Sequence, residues 1–510
     1  MMDESGEKSL GRNSFIVMFF TLASRLLGIL RIRIFGSIFG AGATADAINF
    51  SFNIPNNFRK LFSEGALSSA IVPVFSKIED EKDRFQKLFS AFLGIQVIIS
   101  AVLMILTVLL RKPIVLFLSD FSDPQQNLLA IGLLPYFSLF LVFILLSSYF
   151  SSVLQSKNCF LVQSVAPLLF SISVIVSLLV FSKPLGAYSM ALGVASGGLL
   201  QMACTCLNLM KKGLKFRISF DFSSEDFRAV LKNWIPAMVS SAIAIVSTQF
   251  AFFFASGLGT GAVSAFSNSL VFWQTPYGIF FTAVSTVLIP FISKSAKDKV
   301  SSLYGMGLQK LSSFLIPSAV FLFFFRSDAV SIILETGNFT SADTALTAQV
   351  LGVFLIGMLL VAWYSFSQRV GYCLGLQRKI LRVSVLVCAV DILSSYILIR
   401  MGLGVQSLAF ANLISNSVGL MILFLNIRKD VSGFDFKSFL IHDLKVIVSC
   451  IPLAFFCFVA RKVLPDYLKA GSKLEALFYF CFFGLAGAGI ILCCYRFFRI
   501  SLFKADASAR

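Results

Sequence analysis

Along this chain, apolar runs of roughly 20 residues alternate with short polar connections from one end to the other. Fourteen such runs stand out, at about 14–36, 46–75, 88–110, 128–154, 160–182, 186–210, 230–257, 262–292, 308–326, 343–373, 380–400, 404–427, 441–461 and 475–497. About 20 apolar residues in a helix cross the ~30 Å of bilayer hydrocarbon. Several runs exceed 25 residues, so those helices must tilt, kink or project into the interface. The pattern predicts an all-α polytopic membrane protein with about fourteen transmembrane helices.

Composition agrees. Of the 510 residues 57% are hydrophobic and 13% charged, with a mean hydropathy of +0.87; a soluble domain carries roughly twice that charged fraction. The opening "MMDESGEKSLGRNS" is polar, and the apolar run behind it contains arginines, so no cleavable signal peptide is expected. The net charge of +18 would suit nucleic acid only if it formed a basic face on a soluble domain. Instead the bases gather in short connections between apolar runs, which encodes membrane orientation. One alternate set of connections and tails, from Lys8 and Arg12 to Arg496, Arg499, Lys504 and Arg510, holds 28 lysines and arginines; the other holds nine. The richer side is read as cytoplasmic, with both termini there. Four of the nine, Arg461, Lys462, Lys469 and Lys473, lie between the last two runs and go against the rule.

The longest cytoplasmic connection, Lys211–Asn233, falls near the middle of the chain. Each half carries a proline in its second span (Pro55, Pro276) and a short basic loop between its fourth and fifth. Two six-helix lobes around a central cavity is a recurrent transporter plan. The expected division is an N-lobe at 1–215, a C-lobe at 216–430, and two additional C-terminal spans with a cytoplasmic tail at 431–510.

Little supports catalysis. The sequence has no glycine-rich phosphate loop, no His–Asp–Ser set and a single histidine, His442. Ten cysteines, most inside apolar runs and none in a C-x-x-C pair, argue against a zinc site or a disulfide framework. No enzyme activity, cofactor or structural metal is expected.

The informative residues are cations inside apolar runs. In "FFTLASRLLGILRIRIFGSIFGAG" (Phe19–Gly42) Arg25, Arg31 and Arg33 occur without an acid. With the span starting near Ser14, Arg25 lies ~16 Å in at ~1.5 Å per residue, close to the midplane. A lipid-facing arginine at that depth costs a few kcal/mol, so protein or a water-filled cavity should face it. Arg33 is close enough to the interface to snorkel. The second run, "DAINFSFNIPNNFRKLFSEGALSSAIVPVF" (Asp46–Phe75), adds Arg59, Lys60 and Glu64 to a frame broken at Pro55 and flanked by Asn53, Asn56 and Asn57. A local Arg59–Glu64 pair is the bland alternative. Arg25, Arg31 and Arg59 nevertheless exceed the nearby acids, Asp46 and Glu64. Guanidinium donates bidentate hydrogen bonds to phosphate oxygens, so the surplus points to an anionic, phosphorylated cargo. Asp391, midway through the eleventh run with Ser394 and Ser395 a turn on, could hold a coupling cation, carry a proton or pair with an arginine.

These residues lie in text that resembles the MurJ (MviN) family of lipid II flippases, in the multidrug/oligosaccharidyl-lipid/polysaccharide exporter superfamily. The matching stretches are "SRLLGILR", "FGAGATADAINFSFNIPNNFRKLFSEGALSSAIVPVF" and, more loosely, "GAVSAFSNSLVFWQTPYGIFFTAVSTVLIPFISK". The resemblance runs from about residue 10 to 500. It implies two six-helix lobes, a groove for the undecaprenyl tail formed by the last two helices, and alternating access with a cation (sodium or proton) and membrane potential in the reset. By position, Ser24, Arg25, Arg31, Asp46, Arg59 and Glu64 match residues the family uses in or beside its cavity, the basic ones gripping the lipid II diphosphate. Two positions depart: Ile32 stands where an acid is common and Val271 where an arginine is common. Together they remove one charge of each sign. Ala251 and Phe252 occupy the part of span seven where some members place a sodium ligand.

The resemblance implies translocation of lipid II from the inner to the outer leaflet of a bacterial cytoplasmic (inner) membrane, by a monomer whose partners are lipid II and membrane lipids. A related exporter of another polyprenyl-linked glycan or of small molecules is the alternative. A non-transporting envelope scaffold fits less well, having no need of buried arginines.

Overall fold

The structure, a computed structural model, describes residues 4–62, 66–157, 159–294, 297–430, 434–463 and 472–500. Those residues form seventeen helices and no strand. The first nine are α1 (Glu4–Phe39), α2 (Ala43–Phe62), α3 (Ala66–Lys77), α4 (Lys82–Leu109), α5 (Arg111–Leu118), α6 (Pro124–Ser156), α7 (Phe160–Leu185), α8 (Tyr188–Lys211) and α9 (Glu225–Gly257). The rest are α10 (Ala262–Lys294), α11 (Lys297–Phe324), α12 (Arg326–Leu334), α13 (Ser341–Cys373), α14 (Gln377–Arg400), α15 (Gln406–Asp430), α16 (Phe436–Val463) and α17 (Lys473–Phe497).

Each of the fourteen expected spans coincides with helix, and the second falls on two, α2 and α3. Eleven helices among the described residues are long and apolar enough to cross a membrane: α4, α6, α7, α8, α10, α11 and α13–α17. In α9 the apolar stretch is the shorter Ser241–Gly257. The polarity of α2, with Asp46, Arg59, Lys60 and four asparagines in 20 residues, sets it apart from the apolar helices. Two short helices were not anticipated. α5 and α12 each follow the third long span of their half and begin with an arginine, an echo that adds to the two-half pattern.

The chain forms two compact units, Met1–Val263 with Thr336–Phe339, and Ser264–Glu335 with Thr340–Arg510. In the first, one core gathers Phe35, Ile48, Phe137, Leu141, Val174 and Val194 from α1, α2, α6, α7 and α8. α7 and α8 approach closely because α8 offers glycines: a Cβ on Gly193 would lie 2.8 Å from Val174 Cα, and one on Gly197 3.0 Å from Phe170 O. Small residues at such crossings let backbones pack where lipid provides no hydrophobic drive. A second core joins α3, α4, α6 and α9 through Phe75, Phe89, Tyr149 and Trp234, with the Tyr149 hydroxyl donating to Phe89 O at 2.8 Å.

The long central connection is held along α4. Gln86 exchanges two hydrogen bonds with the Lys215 backbone (2.6 and 3.0 Å), Ser219 N donates to Ser90 O at 3.1 Å, and Gly94 leaves room for Ser219 O. These three α4 positions are four residues apart and so share one face. Arg84 closes the arrangement with a bidentate pair to Asp226 at the start of α9 (2.6 and 2.9 Å).

In the second unit, α11, α12, α16 and α17 share a core of Phe325, Val446, Cys450, Leu453, Phe483 and Ile491, and Tyr495 donates to Ser313 O at 2.6 Å. Cys450 and Cys457 act there as small apolar side chains. The lone histidine, His442, has Nε2 3.0 Å from Ser313 Oγ. Outward faces are apolar: Leu474, Phe478, Phe482 and Leu485 of α17 are all exposed, as a lipid-facing helix requires.

Candidate functional site

α1 and α2 place two of the arginines within reach of each other's charge. Arg31 is half-buried, its guanidinium 5.2 Å from the centroid of the Phe170 ring, the same ring that packs on Gly197. A cation over an aromatic face is held by the ring quadrupole without being neutralised. Arg59 is near enough for its like charge to act on Arg31. Its Nε donates to Asn56 Oδ1 at 2.9 Å, which fixes the guanidinium relative to the Pro55 turn.

The other expected residues are placed as follows. Ser24 is half-buried and, seven residues before Arg31, shares its helix face. Arg25 is exposed and lies one position round, on the face that also carries Ile32. Asp46 is 1% exposed, and its Oδ2 accepts the Gly261 backbone N–H at 2.6 Å. It lies thirteen residues from Arg59 on the same helix, about 20 Å at 1.5 Å per residue, so α2 separates the two. Glu64 lies outside the described residues. Asp391 belongs to the second unit; it is buried and accepts from Ser415 Oγ at 3.0 Å, with Ser395 also buried nearby on α14. No group of three or more His, Cys, Asp or Glu side chains suited to a metal occurs among the described residues. A monovalent cation at Asp391 would draw on its carboxylate and on serine oxygens, hard donors suited to such ions.

One residue of this region escapes inspection of the sequence. Gln249 of α9 accepts at Oε1 from both Asn53 Nδ2 (3.2 Å) and Asn57 Nδ2 (2.9 Å), and so clamps the turn around Pro55. A proline inside a helix removes one backbone hydrogen bond and loosens the turn, which the side-chain clamp offsets. Gln249 Nε2 and Asn57 Oδ1 are themselves buried without a partner among the described atoms. The available signal was a lone amide in the apolar stretch "SAIAIVSTQFAFFFASG" (Ser241–Gly257), where a polar side chain needs a reason.

The first unit thus presents an arginine pair on α1 and α2, held by a ring, an asparagine and a clamped proline turn. Such a pair is suited to a multiply charged anion with several acceptor oxygens.

The comparisons agree with this chemistry. The family described as "Lipid II flippase MurJ" matches residues 35–479. A "Probable lipid II flippase MurJ" of Borreliella burgdorferi is 30% identical over 494 residues, covering 96% of this chain and 97% of that protein. One of Bdellovibrio bacteriovorus is 24% identical over 520 residues, covering 97% of both. Among solved structures, a lipid II flippase MurJ in an inward closed conformation superposes with a TM-score of 0.78 at 25% identity, covering 95% of this chain and 99% of that one. A multidrug resistance transporter of the MATE family shares the fold at a TM-score of 0.67 and 15% identity, covering 82% of this chain and 98% of that one. With the match spanning most of its length, the chain belongs to the MurJ family of lipid II flippases.

Proposed function

We infer that this chain is a lipid II flippase, moving the lipid-linked peptidoglycan precursor across a bacterial cytoplasmic membrane. What supports this reading is that Arg31 and Arg59 lie within reach of each other's charge, in a chain similar over nearly its whole length to such flippases. The pair grips the diphosphate. Bringing two guanidinium groups together costs repulsion when the site is empty, and a diphosphate turns that cost into charge-assisted hydrogen bonds. Arg25, exposed one face round, adds a third donor as the headgroup moves. Ser24 supplies a hydroxyl on the Arg31 face. Asp46 acts through structure, holding the start of α10 to α2 by the Gly261 N–H.

Both termini are cytoplasmic in this proposal, on the strength of the 28 bases on that side against nine. The cargo's hydrocarbon tail is expected in the apolar groove of about 350 Å³ lined by α10, α11, α16 and α17. Asp391, with its Ser415 hydrogen bond, is proposed as the cation or proton site that resets the cycle. The test is complementation of a flippase-depleted bacterium. Wild type restores growth, whereas Arg31→Ala and Arg59→Ala fail to do so although the protein reaches the membrane. Rescue by both variants would overturn the diphosphate role.

A further inference from the structure

Arg31 keeps uncommon company for a cation inside an apolar helix. Among the described residues its guanidinium meets the like charge of Arg59 and one ring, that of Phe170, 5.2 Å away at the centroid. A ring there does what an acid would not. The quadrupole of its face attracts the cation but takes none of the five guanidinium N–H groups, which stay available to phosphate oxygens. The same attraction opposes the repulsion from Arg59.

The ring is itself held on several sides. Phe170 belongs to α7, whose next turns are tied to α8: Ser173 Oγ donates to Gly193 O at 3.2 Å, and Ser177 Oγ to Ser189 O at 2.7 Å. Gly197 of α8 makes room for the ring, since a Cβ there would come 2.9 Å from Phe170 Cδ2. The ring also meets Phe140 of α6, centroids 5.3 Å apart, and Phe140 meets Phe52 of α2 at 5.9 Å. Phe52 lies seven residues before Arg59 and so shares its side of α2. An aromatic run thus joins α2, α6 and α7 and ends at Arg31. The helix that carries Arg59 and the ring that seats Arg31 belong to one packed frame.

We propose that Phe170 is a positioning residue for the cargo diphosphate: its ring holds the Arg31 guanidinium beside Arg59 against their repulsion, with the N–H groups left for the anion. Phe170 then sets affinity through Arg31. The proposal rests on the reading of Arg31 and Arg59 as the diphosphate grip.

The test replaces Phe170 in the full chain by phenylalanine bearing one, two or three ring fluorines. The series drains the ring quadrupole step by step and keeps the ring's shape. Lipid II is titrated into each purified protein, with Arg31 present and in the Arg31→Ala background. With Arg31 present, affinity should fall at each step, to about three- to tenfold below wild type at three fluorines. In the Arg31→Ala background the series should be level. Phe170→Tyr, which keeps a ring, should bind as wild type does, and Phe170→Leu should lose about tenfold. A level series with Arg31 present overturns the proposal, even where Arg31→Ala weakens binding and so upholds the grip. Fluorine effects of equal size with and without Arg31 also overturn it, because the ring would then act by another route. Binding indifferent to Arg31→Ala overturns the grip and this proposal with it. Should Phe170→Leu fail to fold, the fluorine series decides alone.

Discussion

The two units treat buried charge in opposite ways. In the first, cations sit inside the helices: Arg31 rests on the Phe170 ring, and Arg59 is braced by Asn56 on α2, which runs unbroken through Pro55. In the second, the buried charges among the described residues are carboxylates, Asp443 of α16 and Asp391, which accepts from the Ser415 hydroxyl on the neighbouring helix α15. The partners differ in kind. A ring and an amide orient a guanidinium, whose planar fork suits an anion, whereas a carboxylate accepts hydroxyl hydrogen bonds and can bear a proton or a small cation. Asp46 shows a third case. Its carboxylate accepts a backbone N–H at a helix start, the ordinary business of holding a fold together.

The largest expected effect comes from the arginines themselves. Arg59→Ala should weaken lipid II binding by roughly 30-fold, about 2 kcal/mol, and abolish rescue of a depleted strain. Arg59→Lys should recover binding only in part, since an ammonium lacks the bidentate fork. Next comes the clamp. Gln249→Leu strands the amide donors of Asn53 and Asn57 and should destabilise the α2–α9 contact by about 1–3 kcal/mol, read as a lowered thermal midpoint. Gln249→Glu retains two acceptor oxygens and should keep most of that stability. Full stability in Gln249→Leu would show that the Pro55 turn holds itself.

Asp391→Asn keeps an acceptor for Ser415 while removing the charge. It should leave lipid II binding intact and abolish the dependence of transport on the cation gradient, measured in proteoliposomes with sodium and pH varied separately. A lost affinity for lipid II would instead place Asp391 with the arginines and dissolve the contrast between the units. The smallest effect belongs to Asp226→Asn, which weakens the exposed Arg84 pair; such pairs contribute little, and a small drop in thermal midpoint is the expected result.

Much of the fold was legible because hydropathy at a span's length is strong signal: all fourteen runs became helices. α5 and α12 were hidden because helices of eight and nine residues carry too few turns to show a period, and each follows directly on an apolar run. Within the site, arginines in apolar text announced themselves through the cost of burying charge. That Arg31 meets Arg59, while Asp46 is spent at the far end of α2, depends on helix packing that spacing within one helix does not encode. Gln249 was missed for the same reason: its partners lie nearly 200 residues away on α2.

The central claim is that the Arg31–Arg59 pair receives a diphosphate, and lipid II titration into purified wild type and Arg31→Ala protein tests it most directly. The account predicts saturable binding by wild type that soluble diphosphate displaces, and affinity at least about tenfold weaker in the variant. Equal affinities, or wild-type binding indifferent to diphosphate, would contradict it.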